Sequence, residues 1–287
     1  MTARVSFAAR AKSTGVAVAW IVAFAVAGGV STWMLFRVGP RPSPVWSLAW
    51  NSLTAVLGFG LATWLVGRVL ERRSWADLGW RPRTGFPLAL CGGTALGAVM
   101  AAGAVGLAVL VGGATITTTG QWVGWEAAAL PLGVGFVLAA LTEELMFRGY
   151  PLRRLADAVG AVPATAVGAM GFGLAHLGNP SATLFSTVNV ALAGVWLACA
   201  LFSPGAMPLA WGAHFGWNAT LALGFAAPVS GYVFSVPAVA YHVGARGWID
   251  GGAFGPEGGI VSTVVLFAGT AALVAWSRAG RVAEPVP

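Results

Sequence analysis

Charge is what this sequence has least of. Of its 287 residues only 9% are Asp, Glu, Lys or Arg, while 57% are hydrophobic, and the mean hydropathy is +0.79. A water-soluble domain needs more polar surface than that, so the soluble globular class is excluded and an integral membrane protein is expected. Cysteine is scarce too. Cys91 and Cys199 both fall inside apolar runs and offer neither a disulfide framework nor metal-ligand spacing, so packing is their expected role. Lysine is nearly absent: Lys12 stands against fifteen arginines. With abundant Ala, Gly and Val, this usage points to a GC-rich bacterial genome and so to a multi-pass protein of a bacterial plasma membrane. The formal net charge of +7 raises nucleic acid as a partner. No basic run is interleaved with aromatics, so no nucleic-acid contact is expected, and the charge reads as cytoplasmic-loop bias facing anionic lipid. There is no internal repeat and no low-complexity tract.

What is present is a series of apolar segments. A bilayer core of about 30 Å needs roughly 20 residues of helix. Eight segments qualify: 15–36, 45–67, 86–111, 127–157, 158–177, 181–202, 207–226 and 259–276. The N-terminus resembles a signal peptide, with Arg4, Arg10 and Lys12 before an apolar stretch. The uncharged run from Ser13 to Phe36 is long enough to span, however, so a retained first helix is expected. Gly178-Asn179-Pro180 and Ser203-Pro204-Gly205 break the later spans. Gly93 and Gly97 form a small-xxx-small pair of the kind that lets membrane helices pack closely. With both termini placed inside, the inner segments hold Arg4, Arg10, Lys12, Arg68, Arg72, Arg73, Arg81, Arg83, Arg153, Arg154, Arg278 and Arg281. The outer loops hold Arg37, Arg41 and Arg246. That bias predicts cytoplasmic termini, and makes the Arg-rich segment with Trp75 and Trp80 a cytoplasmic connector anchored at the interface. The expected fold is therefore all-α, a polytopic transmembrane helical bundle. It is expected to divide into N-terminal helices (1–126), a functional core (127–226), and an outer loop with the last helix (227–287).

Against that background the stretch "LAALTEELMFRGY" is anomalous. It carries Glu143, Glu144 and Arg148 deep in a span. Each charge at a helix centre costs about 2.5–3.5 kcal/mol on insertion scales, so the three would cost roughly 8–10 kcal/mol unpaired. Glu144 and Arg148 are four apart, share a face and can neutralise one another. Glu143 points about 100° away and needs partners on other helices. "GFGLAHLGN" supplies Phe172 and His176 on one face of the fifth span. If the chain turns near Gly160, Glu143 lies 17 residues before the turn and His176 lies 16 after it. Both are then about 25 Å along their helices and can meet. "WGAHFGWNAT" places His214 and Asn218 on one face of the seventh span, where both can donate to a single oxygen.

These residue types suit hydrolysis of a peptide bond. A carboxylate taken out of water becomes a better general base, a role open to Glu143, with His176 sharing or orienting the attacking water. His214 and Asn218 can donate to a developing oxyanion. Glu143, His176 and His214 could also supply a three-ligand zinc set. Against that, adjacent Glu143 and Glu144 diverge on a helix and no His-Glu-x-x-His occurs, so a metal-independent glutamate mechanism is favoured. No Gly-x-Ser-Gly motif and no pair of separated aspartates appears, which leaves serine and aspartyl intramembrane chemistry without residues.

The ordered set Glu-Glu-x-x-x-Arg, Phe-x-x-x-His and His-x-x-x-Asn, on separate spans between Glu143 and Asn218, resembles the CPBP family of intramembrane proteases. That family includes type II CAAX prenyl proteases, bacteriocin-processing or self-immunity proteins, and lysostaphin-resistance proteins. The resemblance implies an endopeptidase acting on a membrane-associated peptide, with Glu143 and His176 catalytic and His214 and Asn218 as the oxyanion pair. Glu144 and Arg148 would support them; Phe172, an element of the second motif, fits a packing role. It also carries the label of a metalloprotease, so a divalent metal such as zinc enters as a possible cofactor. Two other functions use the same groups: a non-catalytic immunity or binding protein, and a proton-coupled transporter, for which intramembrane Glu and His serve as a relay.

Overall fold

The structure is a computed structural model that describes residues 7–282; Arg4 of the inner charge set lies outside them. It is helical, with one small sheet. Helices α1 (Phe7–Val38), α2 (Ser47–Ala62), α3 (Phe86–Leu110), α4 (Trp125–Glu143), α5 (Tyr150–Val159), α6 (Ala161–Ala175), α7 (Leu184–Leu201), α8 (Ala206–Ala219), the single turn α9 (Gly247–Asp250) and α10 (Ile260–Val282) follow in chain order. Among the described residues six helical segments are long and apolar enough to cross a membrane: Ala11–Val38, Pro44–Leu70, Phe86–Leu110, Trp125–Val159, Leu184–Leu201 and Ile260–Ala279. Eight had been expected. Of the two others, α6 is apolar but shorter, with 15 residues, and α8 has 14 before it continues into a π turn. The sheet was not anticipated. Strand β1 (Ala114–Thr118) pairs antiparallel with β2 (Val239–Val243), Ile116 opposite Tyr241, joining the loop after α3 to the loop before α10.

Three helices change pitch rather than simply ending. Wider π turns run over Thr63–Leu70 after α2, Glu144–Arg148 after α4, and Thr220–Gly224 after α8. A π turn adds a residue to the hydrogen-bonded ring and is frequent at functional sites. At Glu144–Arg148 it closes with Gly149 N–H donating to the Glu144 carbonyl at 2.8 Å. Gly160, at φ +93°, then turns the chain from α5 into α6, where the equal-depth argument had placed the turn.

The closest crossing is that of α3 and α8, and it is built from glycine. A β-carbon added at Gly93 or Gly97 would lie 2.3 Å from the Leu209 carbonyl oxygen or 2.0 Å from that of Ala213. Added at Gly212 or Gly216, it would meet the carbonyls of Leu90 at 2.2 Å and Thr94 at 2.1 Å. The two backbones are therefore in direct contact, as small residues permit between membrane helices. Gly212 and Gly216 occupy one face of α8, while His214 and Asn218 project from the other. Trp211 Nε1–H donates to the Val137 carbonyl at 2.9 Å and so ties α8 to α4. On the other flank Gly173 and Gly194 bring α6 against α7, with α7 capped by the reciprocal Thr183–Ser186 box. The core of Ala101, Ala104, Trp196, Leu197, Ala210, Ala213 and Leu221 fills the space between α3, α7 and α8.

Because the α3–α8 contact is backbone on backbone, no side chain is there to give way. Gly97→Ala is expected to lower stability by about 1–3 kcal/mol, the usual cost of overpacking, as a lowered midpoint of thermal unfolding in detergent. Gly92→Ala, on the same helix but with nothing within 4 Å of the added carbon, is expected to leave that midpoint unchanged or raise it, since Ala is the better helix former.

Candidate active site

The three motif segments converge. Glu143 ends α4, Glu144 and Arg148 bracket its π turn, His176 caps α6 at its C-terminal end, and His214 and Asn218 lie on the inner face of α8. They border one cavity of about 410 Å³, whose walls include Leu48, Phe136, Phe147, Phe172, Trp196 and Tyr232 beside Glu143, His176, His214 and Asn218. The rest of the wall is mostly apolar, with Thr142, Asn179, Asn189, Ser230 and Glu257 as further polar residues, the usual composition of a pocket in which a few placed polar groups fix the ligand.

Two adjacent glutamates have separate fates. Glu144 is completely buried and its Oε1 accepts from Arg148 Nη1 at 3.0 Å, the expected (i, i+4) pair. The same Oε1 accepts from His214 Nδ1 at 2.8 Å, a contact that spacing along one helix could not reveal. Arg148 is also buried, with its guanidinium 3.9 Å from the centre of the Phe172 ring. Phe172 in turn packs edge-on against Phe147, His176 and His214, at centroid distances of 5.2, 4.7 and 6.1 Å. It is therefore the apolar centre around which the charged groups are arranged. Glu143, in contrast, leaves 30% of its side chain accessible. Its Oε2 stands 3.8 Å from His176 Nε2 and 3.6 Å from His214 Nε2.

The tautomers follow from the bonds at the far side of each ring. His176 Nδ1 lies 2.8 Å from the Phe172 carbonyl oxygen, an acceptor only, so Nδ1 carries the proton. His214 Nδ1 donates to the Glu144 carboxylate in the same way. With Nδ1 so engaged, a neutral ring presents its Nε2 lone pair to the cavity and a protonated ring presents an Nε2–H. Glu143 Oε2, which is buried and makes no direct hydrogen bond among the described residues, faces both rings. The separations are too long for direct hydrogen bonds and suit a bridging water. The Asn218 side chain is buried at the cavity wall.

The zinc set considered from sequence was Glu143, His176 and His214. Among the described residues no group of three or more His, Cys, Asp or Glu side chains is arranged to hold a metal ion.

One acidic cavity residue was missed from sequence. Glu257, in the short turn Pro256–Gly258 before α10, had been assigned to an outer loop. The loop folds back, and Glu257 joins the wall of the same cavity as His176. Its Oε1 accepts from Trp217 Nε1 at 3.0 Å and its Oε2 from Ser230 Oγ at 3.0 Å and from the Ser230 backbone N–H. Burial pushes the Glu257 carboxyl upward from the usual carboxylate range, against the lowering influence of Ser230, Trp217 and His176. The sequence signal was faint: a single acid in the glycine-rich "GAFGPEGG". His242, by contrast, stays outside the cluster, on β2, hydrogen-bonded to Thr117 Oγ1 at 2.8 Å.

Residues 125–220 match the model of a family described as Type II CAAX prenyl endopeptidase Rce1-like. All seven motif residues, from Glu143 to Asn218, lie inside that region. No curated protein and no solved structure matches the chain.

Breaking one half of a buried ion pair leaves an uncompensated charge and costs about 3–5 kcal/mol. Arg148→Met is therefore expected to destabilise the protein by that order in thermal unfolding in detergent. The double variant Glu144→Gln/Arg148→Met is expected to lose less than the sum of the two single losses, because neither charge is then left unpaired. Additive losses would show that the pair does not act as a unit.

Proposed function

We propose that this protein is an intramembrane endopeptidase that hydrolyses a peptide bond in a membrane-associated substrate. The observation that carries the reading is the convergence of Glu143 Oε2 with the Nε2 atoms of His176 and His214 in the wall of one largely apolar cavity. A water bridging Glu143 and His176 would lose a proton to the Glu143 carboxylate while its oxygen attacks the scissile carbonyl. The electron pair of the C=O moves onto oxygen. Asn218 donates to that oxyanion through its amide. His214, protonated and flanked by the two glutamates, donates through Nε2 while its Nδ1–H remains on Glu144. Glu143 then returns its proton to the departing amine nitrogen as the C–N bond breaks, so one water is consumed and one acid and one amine are released. Glu144 and Arg148 orient His214, and Phe172 packs the three groups together.

The aromatic and aliphatic wall suits an apolar substrate segment, consistent with a target already in or on the bilayer. Eight membrane-embedded helices with cytoplasmic termini, in a bacterial plasma membrane, accord with how the connections group. β1 and β2 join two loops expected outside, and Arg246 adds donation to the Val111 carbonyl. The segments expected inside meet each other in turn, through Arg83 N–H to the Pro204 carbonyl, Met207 N–H to that of Gly79, and Arg153 Nε–H to that of Asp77. Residues 127–226 form the catalytic core in this reading. A transporter or an immunity protein built on the same groups would not require cleavage, and the following test separates them.

In proteoliposomes with a reporter peptide, Glu143→Ala and His176→Ala are expected to abolish cleavage while still inserting and folding. Asn218→Ala is expected to lower kcat roughly 100- to 1,000-fold, as loss of one oxyanion donor does elsewhere, with little change in KM. Cleavage is expected to survive a chelator. Normal cleavage by both Glu143→Ala and His176→Ala would refute the proposal, and loss of cleavage in chelator, restored by a divalent ion, would refute the metal-independent mechanism.

A further inference from the structure

Glu257 touches both halves of the candidate site without belonging to any of its motifs. Through Oε1 it holds the indole N–H of Trp217 at 3.0 Å, and Trp217 is the residue before Asn218 on α8. Through Oε2 it holds the hydroxyl of Ser230 at 3.0 Å and the Ser230 backbone N–H. Ser230 and Gly231, both at positive φ (48° and 88°), form a tight turn closed by Val229 N–H to the Tyr232 carbonyl and Tyr232 N–H to that of Val229, each 2.9 Å. Two consecutive positive φ values are the signature of the turn that reverses a chain in two residues. Outside glycine such a conformation persists only when its surroundings hold it. Ser230's carbonyl accepts from Asn179 Nδ2 at 3.0 Å, and Asn179 N–H in turn donates to the His176 carbonyl at 3.1 Å. Gly231 N–H donates to the Phe254 carbonyl at 2.9 Å, and a β-carbon at Gly231 would meet the Pro180 carbonyl at 2.0 Å, so the turn is seated directly on the segment after His176. Glu257 is itself fixed: its own carbonyl accepts from Asn189 Nδ2 of α7 at 2.9 Å.

A chain of hydrogen bonds thus runs from the helix bearing His214 and Asn218, through one carboxylate, to the turn behind His176. His176 ends its helix and has no following helical turn to fix it, whereas His214 is mid-helix and anchored by α3. Something must set the separation of the two, and this chain is the direct polar link between them through the loop. We propose that Glu257 is a positioning residue that holds His176 in register with His214 and Asn218 by clamping the Val229–Tyr232 turn to α8. Its catalytic consequence rests on the endopeptidase reading; the clamp does not.

The test uses the full chain in proteoliposomes with ring-labelled histidine, whose three side chains are few enough to assign. In Glu257→Gln one acceptor oxygen becomes an NH2 group and cannot accept from both Trp217 and Ser230. The His176 and His214 ring resonances are expected to shift while that of His242, in the sheet, stays in place. On the reporter peptide kcat is expected to fall roughly 10- to 100-fold, the scale of a misplacement of about 1 Å, with KM within about twofold. Trp217→Phe and Ser230→Ala each remove a donor to the carboxylate and are expected to shift the same two histidines by less; they decide the matter if Glu257→Gln does not fold. Unmoved His176 and His214 rings in folded variants would overturn the proposal, as would a shift of all three histidines together, the mark of general loosening. If the wild-type protein cleaves nothing, the endopeptidase reading fails, and the histidine spectra still decide whether Glu257 positions the cluster.

Discussion

The arrangement hangs on one imidazole addressed from both sides. His214 offers Nδ1 to Glu144 and Nε2 toward Glu143, so two glutamates adjacent in sequence meet the two nitrogens of a single ring. In a low-dielectric interior each of these charges alone would be costly. Arg148, buried beside Glu144 and lying against Phe172, balances one carboxylate and leaves the other to the cavity. The partition is electrostatic: one glutamate is neutralised and fixed, and the other stays accessible to a ligand.

That partition requires His214 to be held in position, and this follows from glycine rather than from charge. The α3–α8 crossing puts backbone against backbone along Gly93, Gly97, Gly212 and Gly216. The face of α8 opposite the crossing is thereby aimed at the π turn of α4. The Glu144–Arg148 π turn lies at the level where two neighbouring carboxylates must reach different atoms of one ring. A regular α-helix separates neighbours by about 100°; the altered pitch begins at Glu144.

Much of this was legible in the sequence where the determining pattern was local. The pair Gly93 and Gly97 marked a close-packing face before its partner was known. Equal residue counts on either side of Gly160 anticipated the meeting of Glu143 with His176, although the π turn and the break at Gly149 interrupt the uniform rise that the count assumes. Spacing of four joined Glu144 to Arg148. Other features depended on chain segments far apart. The Glu144–His214 bond spans 70 residues, and periodicity within one helix had assigned Glu144 to Arg148 alone. β1 and β2 are five residues each and lie on opposite sides of the core region, so neither announced itself. Glu257 had the polarity and glycine-rich surroundings of a surface loop, and its burial comes from contacts with Trp217, Ser230 and Asn189. Apolar composition alone counted α6 as a full span, whereas its 15 residues end at His176; α8 runs on through its π turn to Gly224.

The central claim is that Glu143 activates water against a peptide bond. The most direct measurement is cleavage of a reporter peptide in 18O-labelled water by wild-type protein and by Glu143→Gln in equal folded amounts. Wild-type protein should produce a new C-terminal carboxylate carrying solvent oxygen, and the isosteric variant should produce none. Equal rates of labelled product from both would contradict the account.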